Sequence, residues 1–300
     1  MRNALLNAFT VDVEDYFQVS AFDGVLSRED WASQPLRVED STRRLMDLLD
    51  EFEVRATFFL LGWIAEQRPG LVREIAQRGH EIGAHGYDHR LVYDLQPDEF
   101  REDLRRTCAL IEEACGRRPR VYRAPSFSFT RASLWALDVL AEEGFVLDSS
   151  IFPVRHDRYG IPGFARDPFV WPEPSRRGLI EFPMTTWRKL GMTLPTGGGG
   201  YFRLLPRLVH WGIEQANRRG VPAVFYVHPW ELDPDQPRFR VGLRTRFRHY
   251  VGLRRTEARL RLLLKRHRFG TITAAAREYL GAAAGDAPAR ARSAAKEPIR

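Results

Sequence analysis

Short apolar runs alternate with amphipathic stretches along most of the chain. Leu5 to Val11, Ala56 to Leu61, Glu81 to Ala84, Val121 to Arg123, Phe145 to Leu147, Ile180 to Phe182 and Ala223 to Val227 are each too short for a helix and read as strands. Between them the apolar residues recur at helical spacing. Leu45, Leu48, Leu49 and Phe52 line one face behind a candidate cap at Ser41, and Pro97 and Asp98 open a long helix that Gly116 ends. Further helices are predicted from about Arg131 to Glu143 and Leu204 to Arg219. Strand and helix in turn predict an α/β fold, with parallel strands joined by crossover helices in a barrel or wound sheet. Ile151 to Leu179, rich in Pro, Gly and aromatics and without a clean period, reads as an ordered loop over one end of it. Residues 1–281 are expected to form one domain with a basic helical extension at 236–281. The remainder, 282–300, lacks large apolar residues except Ile299 and is expected to be a disordered tail.

Composition narrows the class. With 44% hydrophobic and 28% charged residues, the 300-residue chain has material for one large core. The first 30 residues lack a basic start followed by an apolar stretch, and no run approaches the ~18 to 20 apolar residues of a membrane span, so the expected compartment is cytoplasmic. Cys108 and Cys115 fall in one predicted helix, about 10 Å apart at a rise of ~1.5 Å per residue, too far for a disulfide. The net charge of +7 is local: Arg238 to Arg268 holds twelve Arg or Lys against one acid, Glu257. Leucines spaced for one buried face run through this segment, which makes it a docking helix with a solvated basic side. A sharper reading is a patch attracting an anionic polysaccharide or the inner membrane surface. No aromatics interleave with the arginines of 253–268 as nucleic-acid binding would require, and nucleic acid is not an expected partner.

The chemistry-bearing residues sit where apolar runs stop. His85-Gly-Tyr-Asp-His89 follows a strand-like run and places two imidazoles four residues apart, a spacing that can converge on one metal ion. An acidic cluster, Asp12-Val-Glu14-Asp15, follows the first apolar run and offers the carboxylate partner. Arg123-Ala-Pro125, Asp148-Ser-Ser and His228-Pro-Trp230-Glu231 close three other runs. Together they could supply a metal-assisted hydrolase with ligands, a base for the attacking water, a group that orients the base, and an acid for the leaving group.

These motifs, in this order, resemble the polysaccharide deacetylases of carbohydrate esterase family 4, the NodB-homology domain, over roughly residues 5 to 270. The resemblance implies a distorted (β/α) barrel of the NodB-homology type. It implies Asp12 as general base, His85 and His89 as metal ligands, Arg123 as the partner that orients the base, Asp148 as a supporting acid and His228 as general acid. One divalent metal is implied, zinc first, with cobalt or another ion as alternatives. The usual adjacent Asp-Asp is replaced here by Asp12-Val-Glu14-Asp15, so the metal carboxylate is Glu14 or Asp15; strand alternation favours Glu14 and a turn beginning at Val13 would favour Asp15. Gly86 stands where the family often has Ser or Thr. Asp12 to Phe17, Gly197 to Arg203 and His228 to Asp233 look like the subgroup linked to exosortase (PEP-CTERM) exopolysaccharide clusters. The implied reaction removes N-acetyl groups from the amino sugars of a bacterial exopolysaccharide or its lipid-linked oligosaccharide precursor. Hydrolysis of another small amide, or non-catalytic carbohydrate binding, are the alternatives.

Other residues receive plainer readings. His156, His210, His249 and His267 read as core histidines. The Gly197 to Gly200 run lacks the Lys-Ser/Thr of a phosphate loop and reads as cleft lining. Trp63, Trp135 and Trp187 read as packing, while Trp230, Tyr201 and Pro125 are candidate substrate contacts.

Overall fold

The computed structural model describes residues 5–156 and 158–285. Eleven strands occur among them: β1 Asn7–Val13, β2 Thr57–Leu60, β3 Glu81–Ala84, β4 Val121–Tyr122, β5 Leu147–Asp148, β6 Phe169–Val170, β7 Ile180–Glu181, β8 Thr186–Lys189, β9 Met192–Pro195, β10 Val224–Val227 and β11 Phe269–Gly270. Nine form one curled sheet in the order β10-β1-β2-β3-β4-β5-β7-β6, with β11 beside β1. All pairings in it are parallel except β6 with β7. The edges at β10 and β6 do not pair with each other, so the sheet is a half-barrel rather than a closed ring.

The helices are α1 Val38–Glu51, α2 Gly62–Gln67, α3 Pro69–Gln77, α4 Pro97–Cys115, α5 Ala136–Glu142, α6 Gly199–Leu204, α7 Pro206–Arg218, α8 Leu243–Tyr250, α9 Thr256–Arg266 and α10 Ile272–Gly285. No described helix is long and apolar enough to cross a membrane. Helix α4 starts and stops where its sequence says: Pro97 fills the first turn, Gln96 and Glu99 form a capping box, and Gly116 takes the left-handed φ of 71° that ends it. Cys108 and Cys115 are both free thiols.

Period-two alternation in β1 sorts its side chains between two environments. Phe9, Val11 and Val13 face outward into the largest core, with Leu45 and Leu49 of α1, Ile75 of α3, Ile213 of α7 and Leu263 of α9. Ala8, Thr10 and Asp12 face the hollow of the sheet. Its base is apolar, built from Ala8, Phe59, Val121, Leu147 and Val224 and closed by Ile272 and Ala275 of α10. Farther along the same strands the lining turns polar, and the strand ends carry the chemistry.

Several local expectations change. Helix α1 begins at Val38, three residues before Ser41, and Ser41 is buried within it rather than capping it. Asp15 does the capping from a distance, its Oδ2 accepting the backbone N–H groups of Arg37 at 2.8 Å and Val38 at 2.9 Å. The 151–179 segment is not wholly loop, since β6 returns antiparallel along β7. The β8–β9 hairpin had no counterpart among the predicted strands. Its turn residues Leu190 and Gly191 both have positive φ, 50° and 79°, and Leu190 hides the signal that Asn or Gly would have shown. Of the 282–300 tail, residues 282–285 end α10, and 286–300 lie outside the described residues.

Behind the sheet, Asp148 and Glu181 are neighbours in register on β5 and β7 and both fully buried. Burial raises Asp148 to about 6. Burial first, and then the Asp148 charge, push Glu181 well above the carboxylate range. The pair therefore holds a proton to higher pH than a free carboxyl does. A carboxyl raised in the folded state gives stability that is full below its unfolded pKa of ~4.3 and is lost as pH rises toward the folded value. Glu181→Gln should accordingly raise the melting temperature at pH 8 by at least about 2 °C more than at pH 5, followed by thermal denaturation across that range. Asp15→Ala should lower the unfolding free energy by roughly 1–3 kcal/mol in denaturant titration, because buried N–H groups of α1 lose their acceptor.

Candidate metal-assisted active site

Each candidate group leaves a parallel strand at its C-terminal end, where such sheets leave a crevice. Glu14 follows β1, His85 follows β3, Arg123 follows β4, Asp148 closes β5 and His228 follows β10. Sheet order therefore brings residues more than 200 positions apart into one pocket.

Glu14, His85 and His89 converge. Glu14 Oε1 lies 3.2 Å from Nε2 of His85 and 3.2 Å from Nε2 of His89. Among the described residues they are the one set of three His, Cys, Asp or Glu side chains whose ligand atoms all lie within 4.8 Å of one another, and all three are buried. His85 Nδ1 donates to the Arg123 carbonyl at 2.7 Å, so its proton is fixed there and Nε2 keeps a lone pair for a cation. His89 has a φ of 59°, an uncommon conformation for a residue with a Cβ. Arg28 braces it, donating to the backbone carbonyls of Asp88 at 2.7 Å and His89 at 3.2 Å. The intervening Gly86 also has positive φ, 74°, and a Cβ there would meet Asp103 and Pro125, each at 3.3 Å. Asp103 of α4 holds this loop, its carboxylate accepting the Tyr87 N–H at 3.0 Å. Burial raises Asp103 to about 7.

The carboxylate choice between Glu14 and Asp15 is a matter of occupied oxygens. Asp15 Oδ1 accepts the Tyr16 N–H at 2.8 Å, and Oδ2 is taken by the start of α1. Burial raises Asp15 to about 6 against these three N–H groups. Glu14 faces three imidazoles. Burial opposes its charge, but the neighbouring imidazoles, His89 and His228 foremost, hold its carboxyl below the usual range.

Asp12 Oδ1 accepts from Arg123 Nη1 at 2.7 Å, and both side chains are buried. The same nitrogen donates to Thr10 Oγ1 at 2.7 Å, and the rest of the guanidinium reaches Ser149 O and Oγ, each at 3.2 Å. Neither Thr10 nor Ser149 was singled out from sequence. His228 Nε2 lies 3.9 Å from Glu14 Oε1, and Nδ1 donates to Glu231 Oε1 at 2.8 Å. Burial works against its charge, yet Glu14 and then Glu231 outweigh burial and raise His228 to about 9. Asp148 lies behind the sheet beside Glu181 and turns to Ser150, accepting from its hydroxyl at 2.6 Å and its N–H at 3.0 Å, so it is not brought into the lining.

The three candidate substrate contacts separate. Tyr201 is the exposed one, on α6. Pro125 is buried over Gly86. Trp230 does not present a free face to a sugar: it is buried between the rings of His228, 5.1 Å away, and His249, 4.3 Å away. Trp63 packs edge-on against Trp31 at 5.5 Å. His249 is a core histidine held by Gln236 at 2.8 Å, and His210 faces His267 at 3.1 Å.

Comparison with known proteins agrees with this architecture. Residues 26–143 match the polysaccharide deacetylase family, and residues 149–277 match a domain of unknown function, DUF3473. A peptidoglycan-N-acetylglucosamine deacetylase of Bacillus cereus is 38% identical over 84 residues, covering 28% of this chain and 30% of that protein. A peptidoglycan deacetylase of Helicobacter pylori is 26% identical over 196 residues, covering 61% of this chain and 66% of that protein. The matches thus span from under a third to about two thirds of these relatives' lengths. A candidate polysaccharide deacetylase from Mycobacterium smegmatis shares the fold, with a TM-score of 0.59 and 20% identity over 92% of this chain and 90% of that one. The first match contains His85, His89 and Arg123, the second contains His228, and Asp12 and Glu14 precede both. Residues 26–143 thus resemble polysaccharide deacetylases and residues 149–277 resemble DUF3473, and the pocket draws on both segments.

Proposed function

We propose that the protein hydrolyses N-acetyl groups from amino sugars of a polysaccharide, using one divalent metal held by Glu14, His85 and His89. The observation that carries this reading is the placement of an Arg-held carboxylate, Asp12, and a proton-bearing imidazole, His228, about the three-donor cluster. The donor set of one carboxylate and two imidazoles, with the His85 proton held on Nδ1, fits zinc and is compatible with cobalt. When bound, such a cation supplies a Lewis acid that polarises the acetyl carbonyl and acidifies water.

The side chains divide the remaining work. Asp12 takes a proton from the attacking water, and Arg123 holds its carboxylate in one orientation. His228 delivers a proton from Nε2 to the departing amine, which would otherwise leave as a far poorer anion. Thr10 and Ser149 absorb the guanidinium donors Asp12 does not use, so Arg123 stays fixed.

For the substrate we propose an exopolysaccharide of the exosortase-linked type or its lipid-linked precursor, supported by the Asp12 to Phe17, Gly197 to Arg203 and His228 to Asp233 motifs. The free thiols fit a reducing, cytoplasmic setting. Exposed Leu243 and Phe247 among the arginines of α8 suit peripheral contact with an anionic membrane surface.

Elemental analysis of protein purified without affinity-tag metals should find about one divalent ion per chain, lost in the His85→Ala/His89→Ala variant. Negligible metal in both after reconstitution with zinc would overturn the reading. Asp12→Asn should retain zinc and lower kcat for acetate release from an N-acetylated chitooligosaccharide by ~10²–10⁴-fold. Full activity in that variant would remove Asp12 as the base.

A further inference from the structure

We propose that Arg203 and Glu231 are the positioning pair for His228, which DUF3473 supplies to fix that imidazole with its proton on Nδ1 and Nε2 facing the reaction centre. The inference rests on the deacetylase reading, and deepens it by giving the second domain a task.

Glu231 is fully buried, and each of its oxygens is committed. Oε1 accepts both the backbone N–H of His228 at 3.0 Å and its ring Nδ1 at 2.8 Å, within the single turn Pro229–Leu232. Oε2 accepts Arg203 Nε at 2.5 Å. Arg203 then spends its other donors on backbone: Nη1 on the carbonyls of His249 at 2.6 Å and Val251 at 2.8 Å, and Nη2 on that of Arg248 at 3.1 Å. Those carbonyls are among the groups that the C-terminal turn of α8 leaves without a helical partner. A buried Arg–Glu pair is in itself poor evidence of stabilisation, since desolvation offsets its attraction. What marks this one is that the carboxylate's free oxygen is given to an imidazole at the pocket.

Two further contacts fix the ring plane. Trp230 stacks on His228 with an interplanar angle of 20°, and His249 backs Trp230 at 16°. The glycine run places Arg203. Gly198 pairs with Tyr226 on the free edge of β10, and its φ of 149° and a Cβ that would lie 1.9 Å from the Tyr226 carbonyl oxygen admit no side chain. The chain turns directly from that contact into α6, which carries Arg203 inward. The Gly197 to Arg203 and His228 to Asp233 motifs are thus two halves of one support.

The resemblance would give the supporting acid's place to Asp148, whose oxygens both go to Ser150. Glu231 holds the imidazole instead. With a carboxylate at Nδ1, that nitrogen keeps its proton in both charge states of the ring, so Nε2 is the atom that gives and regains one.

The experiment compares two leaving groups in the zinc-loaded protein. An N-acetylated chitooligosaccharide must lose an amine and needs the acid, whereas an activated aryl acetate expels a stable phenolate and does not. Glu231→Gln should lower kcat on the chitooligosaccharide at least 100-fold, with KM changed less than about threefold, zinc content at the wild-type level, and the aryl acetate rate reduced less than about threefold. Equal loss on both substrates, or no loss on either, would overturn the proposal. Should the variant fail to fold, the ¹⁵N shifts of His228 in the zinc-loaded wild type decide the matter: the neutral ring must be the Nδ1–H tautomer, and the Nε2–H tautomer would refute the pairing. Wild-type protein that binds zinc yet releases no acetate would count against the deacetylase reading, and the tautomer would still test the pair.

Discussion

A guanidinium with no exposure to solvent organises this protein. Arg123 is the largest fully buried side chain, and a bare cation in that position would be untenable. Its surroundings meet the requirement from three strands at once: Asp12 and Thr10 from β1, and Ser149 just past β5, with the Phe59 ring of β2 4.4 Å beneath its carbon. Its own backbone carbonyl sets the tautomer of His85. One residue therefore couples the orientation of the candidate base to that of a candidate ligand. Removing either partner of such a pair strands the other charge, which typically costs ~3–5 kcal/mol. The polar half of the hollow and the integrity of the sheet are thus parts of one balance.

Much of this was legible in the sequence because the parallel sheet converts linear order into position. An apolar run followed by a polar residue is the signature of a strand C-terminus, and His85, Arg123 and His228 all follow it. Period-two alternation favoured Glu14 by placing it on the face of Asp12, and along β1 that face also brings Thr10 to Arg123. β1 ends at Val13, however, and a turn there kept Asp15 open as the alternative. What separates them is a tertiary contact: the start of α1, more than twenty residues on, takes Asp15. No local pattern contains that information. Ser41 misled for the same reason, since a helix capped from elsewhere needs no cap of its own.

Trp230 and Glu231 show a second limit. A tryptophan beside a pocket histidine suggests a platform for sugar, but the ring's two faces are filled by His228 and by His249, which a core reading had set aside. Glu231 stood in a quoted motif and drew no role, because its oxygens matter only once Arg203 arrives from α6. Residues whose function is to hold another residue leave no spacing rule behind them.

The position of β1 between β10 and β2 also sets a clock. Glu14 leaves the ribosome first of the site residues beyond β1, His85 and His89 follow after some seventy residues, and His228 comes more than 200 residues behind Glu14. At roughly 5–20 residues per second, the strand waits about ten to forty seconds for its second neighbour. Through that interval the hollow is open along one side of β1, and its carboxylates meet the solvent of the nascent chain. The pocket is completed only after the whole of residues 26–143 has emerged, so the two matched segments are separate in sequence and inseparable in assembly.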